Sequence, residues 1–204
     1  YAKITEGAGA IRPLFRWLNE TDYPRGRETM SRRLLFTALA IPAVAACSTI
    51  SELPTDRVAE TTLRFANGLP AGTVQLLSNG QTVSVAVAAV GMSPGEHGFH
   101  LHTTGKCNAP DFKSAGGHLN PGNASHGSLS PGGKHLGDMP NLTIGPNGSG
   151  SAEFALEGNA TSVLDSIFDE DGTAVVVHAG PDDYRTDPAG NAGSRIACGV
   201  LERI

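Results

Sequence analysis

The sequence predicts an all-β fold, an antiparallel β-sandwich or barrel that carries two long functional loops. From residue 61 onward, short runs rich in Val, Leu, Phe and Thr recur along the chain. Turn residues such as Asn79-Gly80 separate these runs, and no long helical periodicity interrupts them. Many short strands without a long helix are typical of antiparallel sheets that pack face to face or close into a barrel.

Eight segments carry the strand pattern. They are residues 61–66, 73–77, 82–87, 98–103, 141–144, 152–156, 174–178 and 196–201. The segments 141–144 and 152–156 flank a Gly-Pro-Asn-Gly turn at 145–148, which predicts a β-hairpin.

The segments between the strands predict one helical turn and two long loops. The helical turn is expected over residues 162–168, where Ser162 and Asp165 have capping-box spacing. Residues 104–137 and 179–195 are rich in glycine and have little apolar periodicity. Loops of this length are uncommon unless they have a function, so we expect the chemistry to lie in them.

Residues 30–46 have the pattern of an export signal. Met30 is followed by the basic pair Arg32 and Arg33, a short apolar stretch and small residues that end before Cys47. This pattern is typical of a secretory signal peptide and is too short for a membrane-spanning helix. We interpret it as a lipoprotein-type signal, in which Cys47 becomes the lipid-modified N-terminus.

Two alternatives stay open for this signal. An ordinary signal peptide would be cut near Ala46, and the arginine pair also allows twin-arginine export. In the preferred interpretation, residues 1–29 are upstream sequence outside the native protein, residues 47–59 are a polar tether, and residues 60–204 are the folded domain. That domain would be periplasmic and anchored to the membrane only through a lipid on Cys47.

The charge of the exported part argues against one class of partner. Of 15 basic and 20 acidic residues, seven and four lie in residues 1–46, which leaves residues 47–204 with a formal net charge of −8. Proteins that bind nucleic acids present a basic surface, so the sequence argues against a nucleic-acid partner. A small anionic substrate stays compatible, because a few cations close to a site can attract it.

The seven histidines suggest two metal sites. All lie between residues 97 and 178. His100 and His102 are two residues apart in a predicted strand, so both rings point to the same face and can share one metal ion. A second set lies within 21 residues of glycine-rich loop and consists of His118, His126, His135 and Asp138. His178 ends a predicted strand.

Ligand chemistry narrows the choice of ions. Imidazole suits zinc and copper, whereas calcium and magnesium prefer oxygen ligands. Three histidines and one aspartate make a closed tetrahedral set, which is typical of structural zinc. The remaining histidines can form a nitrogen-rich tetragonal site of the kind that Cu(II) favours. Spacing alone does not assign each ligand to one ion.

Four runs resemble the signatures of bacterial copper/zinc superoxide dismutases, in the order of that family. They are GFHLH at 98–102, GGHLNP at 116–121, HLGDMPNL at 135–142 and GNAGSRIACGV at 190–200. The resemblance covers roughly residues 60–204 and implies a Greek-key β-sandwich or barrel. It also implies that superoxide is disproportionated to dioxygen and hydrogen peroxide through Cu(II)/Cu(I) cycling, with a structural zinc.

The resemblance implies a role for each candidate ligand. The copper ligands would be His100, His102, His118 and His178. The zinc ligands would be His118, His126, His135 and Asp138. His118 would then bridge the two metals as an imidazolate and act in catalysis as a proton carrier.

Further residues match the family outside these ligands. Arg195 corresponds to the arginine that guides superoxide, and Cys107 and Cys198 correspond to the disulfide. An exported compartment also permits a disulfide between these two cysteines once Cys47 carries a lipid. Asp182 corresponds to a carboxylate that links the copper-side and zinc-side histidines, and its neighbour Asp183 is the alternative.

Some roles stay open at this point. Lys134 and Arg185 are candidates for attracting the anion, although exposed cations are often only solvated. His97 is expected to be a structural hydrogen-bonding residue outside the metal sites. The chain could form a homodimer, and the alternative function is a non-catalytic periplasmic copper-binding or copper-delivery protein. The presence of Arg195 favours the enzyme, because metal binding alone does not need a cation beside it.

Overall fold

The structure is a computed structural model that describes residues 55–204. This part of the chain contains ten strands: β1 (Asp56–Phe65), β2 (Pro70–Ser78), β3 (Val83–Val90), β4 (Gly95–His97), β5 (Phe99–His102), β6 (Leu142–Ile144), β7 (Ser149–Ala155), β8 (Ala174–His178), β9 (Arg195–Val200) and β10 (Glu202–Arg203). One helix, α1 (Ala160–Ile167), and one short 3-10 turn, Lys113–Ala115, accompany them. Neither is long and apolar enough to cross a membrane. The predicted export signal and the lipid on Cys47 lie outside the described residues.

The strands form one large curled antiparallel sheet and one small sheet, which confirms the all-β prediction. The order in the large sheet is β5-β8-β9-β1-β2-β3-β7, and β10 also pairs with β1. The small sheet contains β4 and β6. Strands from distant parts of the chain are therefore neighbours, as in a Greek-key arrangement.

Alternating side chains fill the inside of the curled sheet. On β3, Val83, Val85 and Val87 are buried, while the residues between them are partly or fully exposed. This follows from the two-residue period of a strand, which sends alternate side chains to opposite faces. Phe99 is fully buried, and its ring centroid lies 5.9 Å from that of Phe154. The core thus supports the first residue of β5, next to the histidines.

The folded domain begins earlier than the sequence predicts. Strand β1 starts at Asp56, whereas the sequence pattern predicts a tether over residues 47–59. Ala59 is fully buried and pairs with Arg203 of β10. The predicted tether therefore overlaps the strand at residues 56–59, where Asp56 pairs with Ser78 and Arg57 pairs with Leu77 of β2.

The predicted hairpin and the predicted helix start also differ from the structure. A turn joins β6 to β7, and Gly145 N–H donates to Ser149 O at 2.8 Å, but β6 pairs with β4 and β7 pairs with β3. Helix α1 begins two residues early because Asn159 is its N-cap. The side chain of Asn159 accepts a hydrogen bond from Ser162 N–H at 3.0 Å.

A disulfide between Cys107 and Cys198 ties the first long loop to β9, as predicted. The two Cα atoms are 5.7 Å apart, and 91 residues of sequence separate them. Beneath the bond, Phe112, Ala115 and Val176 form a small buried cluster with Cys198. The disulfide therefore fixes the part of the loop that leads to the histidines.

Removing this cross-link is expected to lower the stability of the metal-free protein substantially. In the chain-entropy model, a closed loop of this size contributes roughly 4–5 kcal/mol to the free energy of unfolding. We expect the Cys107→Ala/Cys198→Ala double variant to lose about this amount in urea unfolding at neutral pH. The reduced parent serves as the control and should match the variant. Equal stability of the oxidised parent and the variant would contradict this role.

Candidate metal centre

Strands β5 and β8 place three histidines beside one another. His100 and His102 point to the same face of β5, which pairs with β8 in the register Phe99 to Val177. His178, the last residue of β8, lies two residues after Val176, the partner of His100, so its side chain is on the same face. The ring centroids of His100 and His178 are 4.9 Å apart, and those of His102 and His178 are 5.8 Å apart. All three rings are buried.

The first long loop docks its backbone on β5. Leu101 N–H donates to Gly137 O at 3.0 Å, and Leu119 N–H donates to Leu101 O at 2.8 Å. These bonds bring the adjacent residues His118 and Asp138 to the histidines of β5. A Cβ atom at Gly137 would overlap Leu101 O, so only glycine allows this approach. The loop is thus held at two points on the strand.

The first cluster consists of His100, His102, His118 and His178, whose ligand atoms lie within 4.8 Å of one another. One buried nitrogen of each ring has no hydrogen-bond partner among the described residues, namely His100 Nδ1, His102 Nε2, His118 Nε2 and His178 Nε2. An unpaired buried polar atom costs about 1–3 kcal/mol. Four such atoms close together fit a metal ion with nitrogen ligands.

The opposite nitrogens of these rings are held by the protein. His102 Nδ1–H donates to Gly116 O at 3.0 Å, and His178 Nδ1–H donates to Gly193 O at 3.2 Å. Because a carbonyl oxygen can only accept, Nδ1 carries the proton, and Nε2 of each neutral ring has a free lone pair. The protein thereby selects the tautomer that a metal ion requires.

The second cluster consists of His118, His126, His135 and Asp138, again with ligand atoms within 4.8 Å of one another. Asp138 Oδ1 lies 2.7, 3.1 and 3.1 Å from Nδ1 of His118, His126 and His135. Four ligand atoms at about 2.0–2.1 Å from a tetrahedral zinc ion are separated by about 3.3–3.4 Å. The observed spacing is close to that tetrahedron, and the closed donor set suits zinc.

His118 belongs to both clusters. Its Nδ1 faces Asp138 Oδ1 at 2.7 Å, while its Nε2 faces the first cluster without a partner in the described residues. Its ring centroid lies 4.1 Å from that of His100 and 5.1 Å from that of His126. One imidazole can therefore contact two ions at the same time.

Asp182 connects the two clusters on their outer side. Its Oδ2 lies 2.8 Å from His100 Nε2, and its Oδ1 lies 3.0 Å from His126 Nε2. The alternative candidate, Asp183, is exposed and accepts hydrogen bonds from Thr186 and Asn191. Of the two candidates, it is therefore Asp182 that contacts a histidine of each cluster.

Burial and hydrogen bonds together set the protonation of these groups. It lowers the pKa of His118 to about 4 and that of His178 to about 3, so both rings are neutral and able to bind a metal at pH 7. Burial acts in the same direction on the pKa of His126, but hydrogen bonds to Asp138 and Asp182 outweigh it and raise that pKa to about 9. Burial would raise the pKa of Asp138, yet hydrogen bonds from His118 and His126 hold it far below its ordinary value.

Arg195 stands at the rim of the first cluster. Its Nη1 donates to Phe112 O at 2.7 Å and its Nη2 donates to Gly116 O at 2.6 Å. Gly116 O is also the acceptor for His102, so one carbonyl holds both the guanidinium and a histidine. The sequence did not predict this link, because His102 and Arg195 lie far apart in the chain.

An open cavity adjoins Arg195, and we call it the anion entrance. Its lining consists of Pro110, Asp111, Lys113, Gly193, Ser194 and Arg195. The two other cations considered from the sequence, Lys134 and Arg185, are not among these described lining residues. Lys134 instead pairs with Glu157 at 3.2 Å. Sequence reasoning missed Lys113, which no motif distinguishes from other exposed lysines.

Asn141 is a second residue that sequence reasoning missed. Its Oδ1 accepts from Asp182 N–H at 2.8 Å, and its Nδ2 donates to Asp182 O at 3.0 Å. Its own N–H donates to the Tyr184 hydroxyl at 2.9 Å. Asn141 therefore fixes the backbone of the residue that links the clusters. Only its place in the HLGDMPNL run could have pointed to it.

His97 lies outside both clusters. Its Nδ1 is 2.7 Å from His178 O, and its Nε2 is 2.9 Å from Ser93 O. The buried ring thus braces the backbone of a candidate ligand, in keeping with the structural part expected for it.

Gly190 is expected to tolerate no side chain. Its φ is +64°, and a Cβ atom there would overlap Asp182 Oδ1 and lie 2.6 Å from His126 Nε2. Overpacking together with a left-handed backbone predicts that Gly190→Ala loses about 2–4 kcal/mol of stability. It should also bind zinc more weakly, as measured by thermal unfolding and chelator competition. Gly122→Ala is the control, because its Cβ would have no neighbouring atom within 4 Å. Equal zinc affinity of the two variants would contradict the assignment of His126 and its neighbours to a zinc site.

Comparison with known proteins shows which family this chain resembles in sequence. Residues 70–201 match the profile described as copper/zinc superoxide dismutase (SODC). A copper/zinc superoxide dismutase of Aquifex aeolicus is 45% identical over 137 residues, covering 64% of this chain and 79% of the relative. The superoxide dismutase-like protein YojM of Bacillus subtilis is 36% identical over 191 residues, covering 84% of this chain and 96% of the relative.

A solved structure shows the same architecture. The structure of a SOD-like protein from Bacillus subtilis superposes with a TM-score of 0.64 at 36% identity. The match covers 73% of this chain and 100% of that protein.

Proposed function

We propose that this chain, which belongs to the copper/zinc superoxide dismutase family, converts two superoxide ions and two protons into dioxygen and hydrogen peroxide. One observation carries the proposal. Two buried clusters of candidate metal ligands have one residue in common, His118, and differ in their other three members. One redox-active ion and one fixed ion can therefore be held side by side in the protein.

The two donor sets differ in the ion that they suit. His100, His102, His118 and His178 offer only nitrogen atoms, and we assign them to copper. The other cluster, with three histidines and Asp138, is closed and suits zinc. Bound copper supplies one-electron redox chemistry by alternating between Cu(II) and Cu(I). Zinc has no redox chemistry, so its part is to fix His118 and the first long loop.

His118 is the proposed proton carrier. Its Nε2 has no other partner in the described part of the chain, so it can take a proton there. Its Nδ1 stays close to Asp138 Oδ1, which keeps the ring in place during this change. The proton is thereby held at one defined atom next to the substrate, as general acid catalysis requires.

Arg195 is the proposed anion-binding residue. Two of its guanidinium nitrogens are used by Phe112 O and Gly116 O, and this anchors the group in one orientation at the anion entrance. The positive charge and the remaining N–H donors can hold a small anion through charge-assisted hydrogen bonds.

Export to the periplasm agrees with the disulfide. A bond between Cys107 and Cys198 persists in an oxidising compartment and is rare in the reducing cytosol. We therefore propose that the domain is exported, with Cys47 as the lipid-modified residue that anchors it.

The function is tested by reconstitution of the full chain. We expect addition of copper and zinc to accelerate superoxide decay in stopped-flow absorbance, whereas zinc alone should not. Metal content per chain is measured on the same samples. A protein that binds both metals but leaves superoxide decay at the buffer rate would be a copper-binding protein, and the enzymatic proposal would be wrong.

A further inference from the structure

Two charged residues of opposite sign stand beside Arg195 at the anion entrance. Lys113 Nζ lies 3.4 Å from Asp111 Oδ2, and the two side chains are 82% and 56% exposed. Both residues line the same cavity as Arg195. An anion that enters here therefore meets two cations and one carboxylate, although the carboxylate repels it.

Asp111 is held in this position by the fold. Its Oδ1 accepts a hydrogen bond from Lys113 N–H at 3.1 Å and so closes the turn that starts the short 3-10 segment. The next residue, Phe112, supplies the carbonyl that anchors Arg195 Nη1 at 2.7 Å. Burial lowers the pKa of Arg195, whereas the charge of Asp111 raises it, so the field of this carboxylate reaches the guanidinium.

We propose that Asp111 limits anion capture at the entrance, because its carboxylate offsets the attraction exerted by Lys113 and Arg195. The same side chain shapes the turn, and that structural role needs only the Oδ1 acceptor, not the negative charge. The repulsion is thus a separable property of the residue. This inference deepens the proposed function, since superoxide is a monovalent anion, but it applies to any small monovalent anion.

Asp111→Asn separates the charge from the turn. Asparagine keeps an oxygen that can accept from Lys113 N–H, and it removes one negative charge. We expect the copper-loaded full chain to bind azide about two- to fivefold more tightly after this change at low ionic strength, since interactions between exposed charges are modest. The measurement is an absorbance titration at equal copper content.

Added salt and a second substitution test whether the effect on azide binding is electrostatic. The increase in azide affinity of Asp111→Asn over the parent should shrink toward zero at 1 M salt, where the Debye length falls to about 3 Å. Lys113→Gln should weaken azide binding about twofold, and the Asp111→Asn/Lys113→Gln double variant should return close to the parent, because equal and opposite charges are removed.

Asp169→Asn is the matched control. The Asp169 carboxylate also accepts a backbone hydrogen bond, from Gly172 N–H at 2.9 Å, and it is not among the described residues that line the entrance. It changes the net charge by the same amount, so its azide affinity should equal that of the parent.

The outcomes distinguish this inference from the proposed function. Unchanged or weaker azide binding by Asp111→Asn, or an equal gain in Asp169→Asn, overturns the inference even if the parent dismutates superoxide. A parent that fails to dismutate superoxide, while Asp111→Asn still binds azide more tightly, leaves the inference standing and overturns the function.

Discussion

We expect His102→Ala to abolish superoxide dismutation while zinc binding persists. His102 contributes a ligand atom only to the first cluster, and its ring is fully buried. Its loss leaves three of four nitrogen ligands, too few for the proposed copper site to keep its geometry. None of the four proposed zinc ligands changes. Metal content per chain and stopped-flow superoxide decay measure the two effects on the same sample.

Asp138→Ala is the matched partner of this experiment. Asp138 Oδ1 is the common neighbour of three histidines, and its Oδ2 accepts from the N–H groups of Gly127 and His135 at 2.8 and 3.0 Å. Its removal should release zinc and loosen the first long loop, although copper can still bind at the strand histidines. If both variants lose the same ion, the assignment of two separate sites is wrong.

Arg195→Ala should lower activity with both metals in place. A hydrogen bond to a charged group contributes about 1.5–3 kcal/mol, which corresponds to a loss of roughly 10- to 100-fold in rate. Arg195→Lys should be intermediate, because the charge stays but the planar fork is lost. The rate of the parent should fall as salt rises, and the Ala variant should respond less. Full activity of Arg195→Ala at low salt and equal copper content would remove Arg195 from the reaction.

The structure indicates that Arg195→Ala also lowers the stability of the fold. From the sequence alone, Arg195 is expected to serve the anion and not the fold. Its two hydrogen bonds to Phe112 O and Gly116 O show that it also holds the first long loop. We therefore expect Arg195→Ala to lose about 1–3 kcal/mol of stability as well, measured by urea unfolding of the metal-free protein.

The local features of this domain could be predicted from the sequence. The two-residue spacing of His100 and His102 predicts that they share a face, and β8 has the predicted bounds, 174–178. The pairing of Cys107 with Cys198 follows from the family resemblance and is present in the structure. The first two features depend on local strand patterns, and the disulfide depends on the family resemblance.

Features set by distant contacts could not be predicted. The turn at 145–148 predicts a hairpin, but other strands compete for the edges of β6 and β7 and pair with them instead. Asn141 acquires its role only when the second long loop folds against it. Asp111 and Lys113 look like ordinary exposed charges until the fold places them beside Arg195.

We expect one copper and one zinc ion to share His118, and anomalous diffraction at the two metal edges tests this most directly. Crystals of the reconstituted protein should show a copper peak among His100, His102, His118 and His178, and a zinc peak among His118, His126, His135 and Asp138. The two peaks should lie on opposite sides of the His118 ring. A single peak, or the same metal in both positions at full loading with both ions, would contradict a shared copper and zinc centre.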